Sequence, residues 1–457
     1  MNYNAWTLFV DFSLMAGLLL LGQFLRAKVK LFQKLLLPAS LIAGFIGLVL
    51  GPNGYKILPF SSSLGTYASI LIVLIFAAMP IGDVINKEKL ENVGGMFTNI
   101  TGIAVLQYGL GMIIALYILD LFWDLPSGFG LILATGFYGG HGTAAAVGSS
   151  YAALGWAEAT DLMMFSATVG IVGGILLGMV IINWATRKGY TTYVTNPKEL
   201  PNELRTGMIP FEKQKLGNRI TVSNISIDPL AFHTAIILVP SVLGYYLSGY
   251  IKGLVPWLNI PEFCLSLVFG FIVQAVLNRT NTNQYIDRAT ISRISGTCTD
   301  FLVIAGVASV KISVILNYMV PLIILFASGF AMTWIWFLIV GKYTSKKDWV
   351  ERNMMVWGHA TGVVATGVLL QRVVDPELKS RGIEDSGISD IINRPIIIGL
   401  QVIPPILLTM GGVWTHITTW GIMAILVVMM FIAWKLKWWT FGKNPQIEAM
   451  QKAGNIK

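Results

Sequence analysis

Two strings of small and polar residues interrupt an otherwise apolar chain. They place Gly139, Gly140, His141, Gly142 and Thr143 in FYGGHGTAAAVG, and Gly358, His359, Thr361, Gly362 and Thr366 in GHATGVVATG. Glycines let a backbone approach a ligand closely, and N–H groups at a helix start or hairpin tip cradle a carboxylate or phosphate. Threonine hydroxyls and freed carbonyls are the oxygen donors that a hard cation such as sodium takes. These ten residues are the candidate substrate-binding set. Each has a plainer alternative: glycines also serve close helix packing, threonines in helices bond their own backbone, and the two histidines either fix a ligand or satisfy loop carbonyls.

Charges inside a membrane are costly and mark function by default. Asp83, at the end of the third apolar stretch, and Asp300, at the start of the eighth, are candidate cation ligands, with Ser309 further along. Lys311 is a candidate partner for a substrate carboxylate or an internal acid, or it snorkels to the interface. Asp11 lies midway along the first apolar stretch and is read as a polar contact between helices. HExxH, serine-nucleophile and nucleotide-loop motifs are missing. The two cysteines, Cys264 and Cys298, have no metal-type spacing. Neither an enzyme, a cofactor nor a transition-metal site is expected.

The elements that carry these residues follow from composition. Of 457 residues, 55% are hydrophobic and only 12% charged, against about 25% charged in soluble domains. Mean hydropathy is +0.69, so the chain is a polytopic membrane protein. The opening MNYNAWTLFVDF lacks a basic leader region, and the first helix is expected to be a permanent span.

A bilayer core takes about 20 apolar residues per helix. Spans are expected near 5–25, 35–51, 66–85, 97–119, 161–185, 228–250, 261–278, 298–316, 320–341, 395–411 and 417–436. Two glycine-rich stretches remain, about 128–152 and 353–371. With the N-terminus outside and both stretches returning to the side they left, 29 of the 32 Lys and Arg fall in cytoplasmic segments, and Lys56, Lys252 and Lys311 do not. That bias orients the chain and makes the net charge of +9 a topology feature, not a nucleic-acid patch. Both stretches are therefore read as re-entrant hairpins, the first from outside and the second from the cytoplasm. Irregular backbone at membrane depth is tolerated only where it is buried in protein or lines a polar cavity.

The halves also echo each other. GHGT (140–143) matches GHAT (358–361), and Pro38 with Gly47 matches Pro261 with Gly270. Five spans and a hairpin precede the polar linker, and five spans and a hairpin follow it. Because five is odd, the second copy is inverted. The expected fold is all-α: an N-terminal repeat 1–185, a cytoplasmic linker 186–227, an inverted repeat 228–411, and an additional span with a basic cytoplasmic tail, 412–457. Inverted repeats with broken elements are the architecture of secondary transporters.

At GGHGTAAA, with GHATGVVATG as its partner and SVKIS after the eighth span, the chain resembles the bacterial sodium/glutamate symporter family over nearly its whole length. The resemblance implies sodium-coupled import of glutamate across the bacterial inner membrane by a homodimer, with an elevator-like movement of the hairpin-bearing domain. It implies sodium as coupling ion, a small anionic substrate, the lipid bilayer as surroundings and no nucleic acid. Family strings of the kind GGHGTGAAW and GHCGFGLGATPT differ from those here. The alternatives are a different anionic substrate or proton coupling. A membrane-embedded enzyme using His141 and an acid, or a channel, are the competing classes.

Overall fold

The first helix starts where Asn4 accepts the Thr7 N–H at 2.9 Å, a side-chain cap on an otherwise orphan donor. The computed structural model describes residues 4–34, 37–82, 93–193, 206–214, 219–254, 260, 262–376, 379–442 and 444–452, and every regular element among them is helical. The principal helices are α1 (Ala5–Lys28), α2 (Ala39–Leu50), α3 (Leu64–Ala78), α4 (Gly94–Tyr117), α5 (Leu131–Gly136), α6 (Gly140–Ala153), α7 (Ala159–Arg187) and α8 (Pro229–Leu254). They continue with α9 (Glu262–Arg279), α10 (Arg288–Ser309), α11 (Met319–Trp336), α12 (Trp349–Thr361), α13 (Val364–Val374), α14 (Gly382–Thr409), α15 (Val413–Lys435) and α16 (Pro445–Lys452).

Among the described residues eight helices are long and apolar enough to cross a bilayer, and the bent α14 makes a ninth. The chain is thus a multi-pass membrane protein. The expected spans 35–51 and 66–85 are shorter helices, α2 of 12 residues and α3 of 15. Two others begin well before their expected starts. Asp287 caps α10 by accepting the Thr290 N–H at 3.0 Å, so Arg288 and Arg293 lie on the helix. Likewise α14 begins at Gly382 and not near 395. It bends by 55° between Asp390 and Ile392, where the Pro395 ring crowds the carbonyl four residues back and leaves it without a donor.

Packing follows a paired pattern. α1 lies on α2 as α8 lies on α9, α2 meets α10 as α9 meets α3, and α3 and α10 pack together. Glycines set these approaches: Gly47 of α2 sits against Ala308 of α10, and Gly270 of α9 against the Ala77 carbonyl of α3. α15 lies along α4, with Met423 over Gly109.

Two helical hairpins stand inside this frame. In the first, α5 and α6 are joined through Phe137–Gly139, and Gly128 at its entry abuts the Tyr151 ring at its exit. In the second, α12 and α13 are joined through Gly362 and Val363. A Cβ on Gly358 would lie 2.5 Å from the Gly367 nitrogen, so the arms touch through backbone. Polar side chains bolt this second hairpin to its neighbours. The turn Phe337–Gly341 after α11 is π-helical, Lys342 N–H bonding the Phe337 carbonyl. Gly341 thereby offers its carbonyl to Asn353 Nδ2 at 2.8 Å. Asn353 Oδ1 accepts from Asn99 of α4 at 2.6 Å, and Gln107 of α4 donates to the Ala360 carbonyl at 2.9 Å.

Asp11 is 1% exposed. Its carboxylate accepts the Ser61 N–H at 3.0 Å, the Tyr67 hydroxyl at 2.7 Å and the Ser61 hydroxyl. It joins α1 to the segment that opens α3. Asp11→Ala strands three buried donors and is expected to cost about 2–4 kcal/mol of stability. Thermal unfolding in detergent should show a lowered midpoint while the folded fraction keeps its activity. An unchanged midpoint with lost activity would move Asp11 into the functional machinery.

Candidate functional site

The two hairpin tips meet. Gly140 opens α6 with φ +63°, a backbone that suits glycine, and a Cβ there would lie 2.3 Å from Val363 Cγ1 and 3.3 Å from the Gly362 carbonyl oxygen. Beside this contact Tyr138 stacks on His359, ring centres 4.6 Å apart and planes 14° from parallel. A cavity of about 240 Å³ opens next to the stacked rings. Gly139 and Thr143 of the first hairpin line it, with Val363 and Val364 of the second. α3 closes one wall with Phe76 and Met79, and the bent α14 supplies Asp390, Asn393, Arg394 and Gln401.

The cavity thus carries both signs of charge. His359 Nδ1 and Asp390 Oδ1 face each other at 3.7 Å, and neither atom has a hydrogen-bond partner. Arg394 lies one turn beyond Asp390 and donates to the Met79 carbonyl at 3.2 Å. Arg288 donates to the Ala78 and Ile81 carbonyls at 3.0 and 2.6 Å. The end of α3, whose last carbonyls have no helical partner, is therefore held by two guanidinium groups. Asn393 donates to the Tyr138 hydroxyl at 3.3 Å. A small anion that also carries an amine would find partners for both groups, with neutral amides and hydroxyls around them.

Of the ten tip residues named from sequence, Gly139, Thr143 and His359 line the cavity, and Gly140 and Gly362 form the tip contact. His141 points elsewhere: its Nε2 is 3.0 Å from the Thr168 hydroxyl of α7. Gly142 faces Ile72 of α3. Thr361 donates to the Trp357 carbonyl at 2.8 Å and packs on Gly170 and Gly174 of α7. Gly358 lies against Gly367, and Thr366 against Gly362. Thus GHGT begins the arm after its break, whereas GHAT ends the arm before its break. Like strings present their histidines differently for that reason.

The candidate cation ligands and charge partner that are described lie outside the cavity. Asp300 is an exposed residue of α10, and the Ser309 hydroxyl donates to the Gly306 carbonyl at 2.9 Å. The Lys311 N–H donates to Asp161 at 3.1 Å, and its side chain is exposed. Asp83 lies outside the described residues. Sequence reasoning missed Tyr138, Asp390, Asn393, Arg394 and Gln401. The available signal was an acid and an arginine four apart just before a proline, which places both on one helix face.

A family model described as sodium/glutamate symporter matches residues 6–367. The chain is similar to the curated sodium/glutamate symporter of Escherichia coli (strain K12), 24% identical over 282 residues that cover 59% of this chain and 64% of that protein. The similarity to the sodium/glutamate symporter of Shigella flexneri has the same identity and coverage. The chain thus spans just under two thirds of the length of these relatives. The family match stops inside α13, before α14 and its six cavity residues.

Proposed function

The chain belongs to the sodium/glutamate symporter family, and on that premise we propose that it is a secondary active transporter, not an enzyme. It imports glutamate or a related small carboxylate with sodium as the coupling ion. The observation that carries this reading is the cavity between the two hairpin tips, with Arg394 in its wall. The substrate carboxylate takes the Arg394 guanidinium, in the bidentate manner that arginine favours, and its amine takes Asp390. Thr143 lines the cavity, the Gly362 carbonyl lies at the tip contact with Thr366 beside it, and sodium binds among these oxygens. This site leaves Asp300, Ser309 and Lys311 aside.

The transport cycle is alternating access. The paired packing of α1–α2–α10 with α8–α9–α3 supports two inverted repeats, 1–185 and 228–411, about the linker 186–227. Each hairpin doubles back on itself, which supports re-entrant elements entering from opposite faces and meeting near the midplane. An elevator-like shift of the hairpin-bearing part then exposes the cavity to either side. The membrane is the bacterial inner membrane, with the N-terminus outside and the C-terminus cytoplasmic, and the working unit is a homodimer.

Uptake of labelled L-glutamate into proteoliposomes is expected to depend on an inward sodium gradient. Folded, oriented protein that accumulates nothing would remove glutamate, and competition by other dicarboxylates and amino acids would then identify the anion. One observation favours a second reading, proton coupling: His359 and Asp390 face each other without other partners at those atoms. Uptake driven by an inward proton gradient in sodium-free buffer would decide for it.

A further inference from the structure

A second cavity, of about 560 Å³, lies at the end of α12 away from the tips, and the transport reading does not use it. Six cationic side chains surround it: Lys346, Lys347, Arg352, Lys379, Arg381 and Lys437. Two acids, Asp348 and Asp385, leave a surplus of four positive charges. Both acids are engaged within the wall. Asp385 holds Arg352 at 2.7 Å and Arg381 at 3.7 Å, and Asp348 takes the Tyr193 hydroxyl at 2.9 Å. Lys346, Lys347 and Lys437 are exposed and form no ion pair among the described residues.

Backbone charge adds to theirs. The N-termini of α4, α12 and α14, at Gly94, Trp349 and Gly382, converge on this cavity, and no N-cap side chain caps any of them. Gln446 takes one amide, that of Trp349, at 3.1 Å. Helix N-termini carry partial positive charge and attract phosphate. Asp348, Arg381 and Lys437 also hold left-handed backbone, φ 52°, 57° and 58°, three of the five such non-glycine residues described. That conformation costs free energy and persists where surroundings impose it, often at ligand clamps.

The cavity's place selects the ligand. Lys437 and Trp438 come just past Leu436, the C-cap of α15, a helix apolar enough to span, and tryptophans and basic residues at a span's end sit at headgroup level. Basic pockets between membrane helices bind phosphate-bearing lipid headgroups. We propose that this cavity binds a phosphate-bearing anion, presented by the membrane as the headgroup of an anionic lipid. Lys346, Lys347, Lys437 and the N-termini of α4 and α14 hold it. Because the wall joins Arg352 of α12 to the end of α15, the bound headgroup ties the base of the second hairpin to the last span.

The test titrates the purified full-length protein in detergent with cardiolipin, phosphatidylcholine or inorganic pyrophosphate, read by native mass spectrometry. The site variant is Lys346→Gln/Lys347→Gln/Lys437→Gln. A control, Lys28→Gln/Lys30→Gln/Lys188→Gln, removes equal charge elsewhere. All three lysines of the site are exposed, so an unaltered melting curve is expected. The cardiolipin Kd should rise at least about tenfold in the site variant and less than about twofold in the control. Phosphatidylcholine should not compete, and pyrophosphate should. Lysine-dependent binding of pyrophosphate without cardiolipin would keep the anion site and remove the lipid source. Equal cardiolipin and pyrophosphate binding in all three proteins would overturn the proposal. Because binding is read without uptake, the outcome is independent of the transport reading.

Discussion

Gly140→Val is expected to abolish uptake, and Gly140→Ala to lower it about 100-fold, with the amount of protein in the membrane unchanged. Two costs combine in the alanine variant. A left-handed backbone is roughly 1–2 kcal/mol worse for a residue with a Cβ. The added atom also lies 2.3 Å from Val363 Cγ1, closer than a contact permits, and a tight 3.3 Å from the Gly362 oxygen. The tips must part, and every 1.4 kcal/mol so lost is a factor of ten. The clash names its own remedy, since Val363→Ala in the Gly140→Ala background should restore at least about tenfold of the loss. Gly142→Ala, two residues on, meets only the flexible end of Ile72 at 3.1 Å and should transport nearly as the parent does. Equal losses at 140 and 142, or no rescue, would detach the tip contact from transport.

Arg394→Met should raise the substrate concentration for half-maximal uptake by about 100-fold, the loss expected when one partner of a buried charge pair is truncated. Arg394→Lys should recover little of it, because an ammonium cannot reproduce the planar two-pronged contact. Since Arg394 also holds the Met79 carbonyl, melting curves of both variants separate a folding defect from a binding defect. Asp390→Asn should act on selectivity: removing its charge weakens the grip on an amino group and favours dicarboxylates that lack one. Unchanged half-saturation in Arg394→Met, with folded protein, would take the anion out of this cavity.

The apolar stretches were legible because a membrane helix must be long and apolar, and α1, α4, α7 and α15 start and end within a few residues of expectation. The two glycine-rich stretches were legible as breaks for the same reason. Hydropathy failed where a helix continues as a polar face. Arg394 was counted among loop charges, but Asp390 and Arg394 lie on a helix facing a cavity, where a charge is paid for by partners and not by exposure. The histidines show a different limit. Nothing in GHGT and GHAT tells His141 from His359, because the distinction arises from which side of the break each string occupies, and hence from helix phase. Asp11, by contrast, was read as a contact between helices, and its three donors supply one.

The π-helical turn at Phe337–Gly341 sets a rule for insertions and deletions in this region. A bond five residues back accommodates one residue more than a plain α-turn does. A chain one residue shorter there would close as α-helix with all that follows left in place, whereas the same number of residues wound as plain α-helix would rotate all that follows by about 100°. Gly341, whose missing side chain leaves room for the Asn353 amide, would then face another way, and the second hairpin would lose its bolt to α11. Homologous chains that keep an asparagine at this place on the hairpin should therefore either keep this π-turn or lack one residue of it.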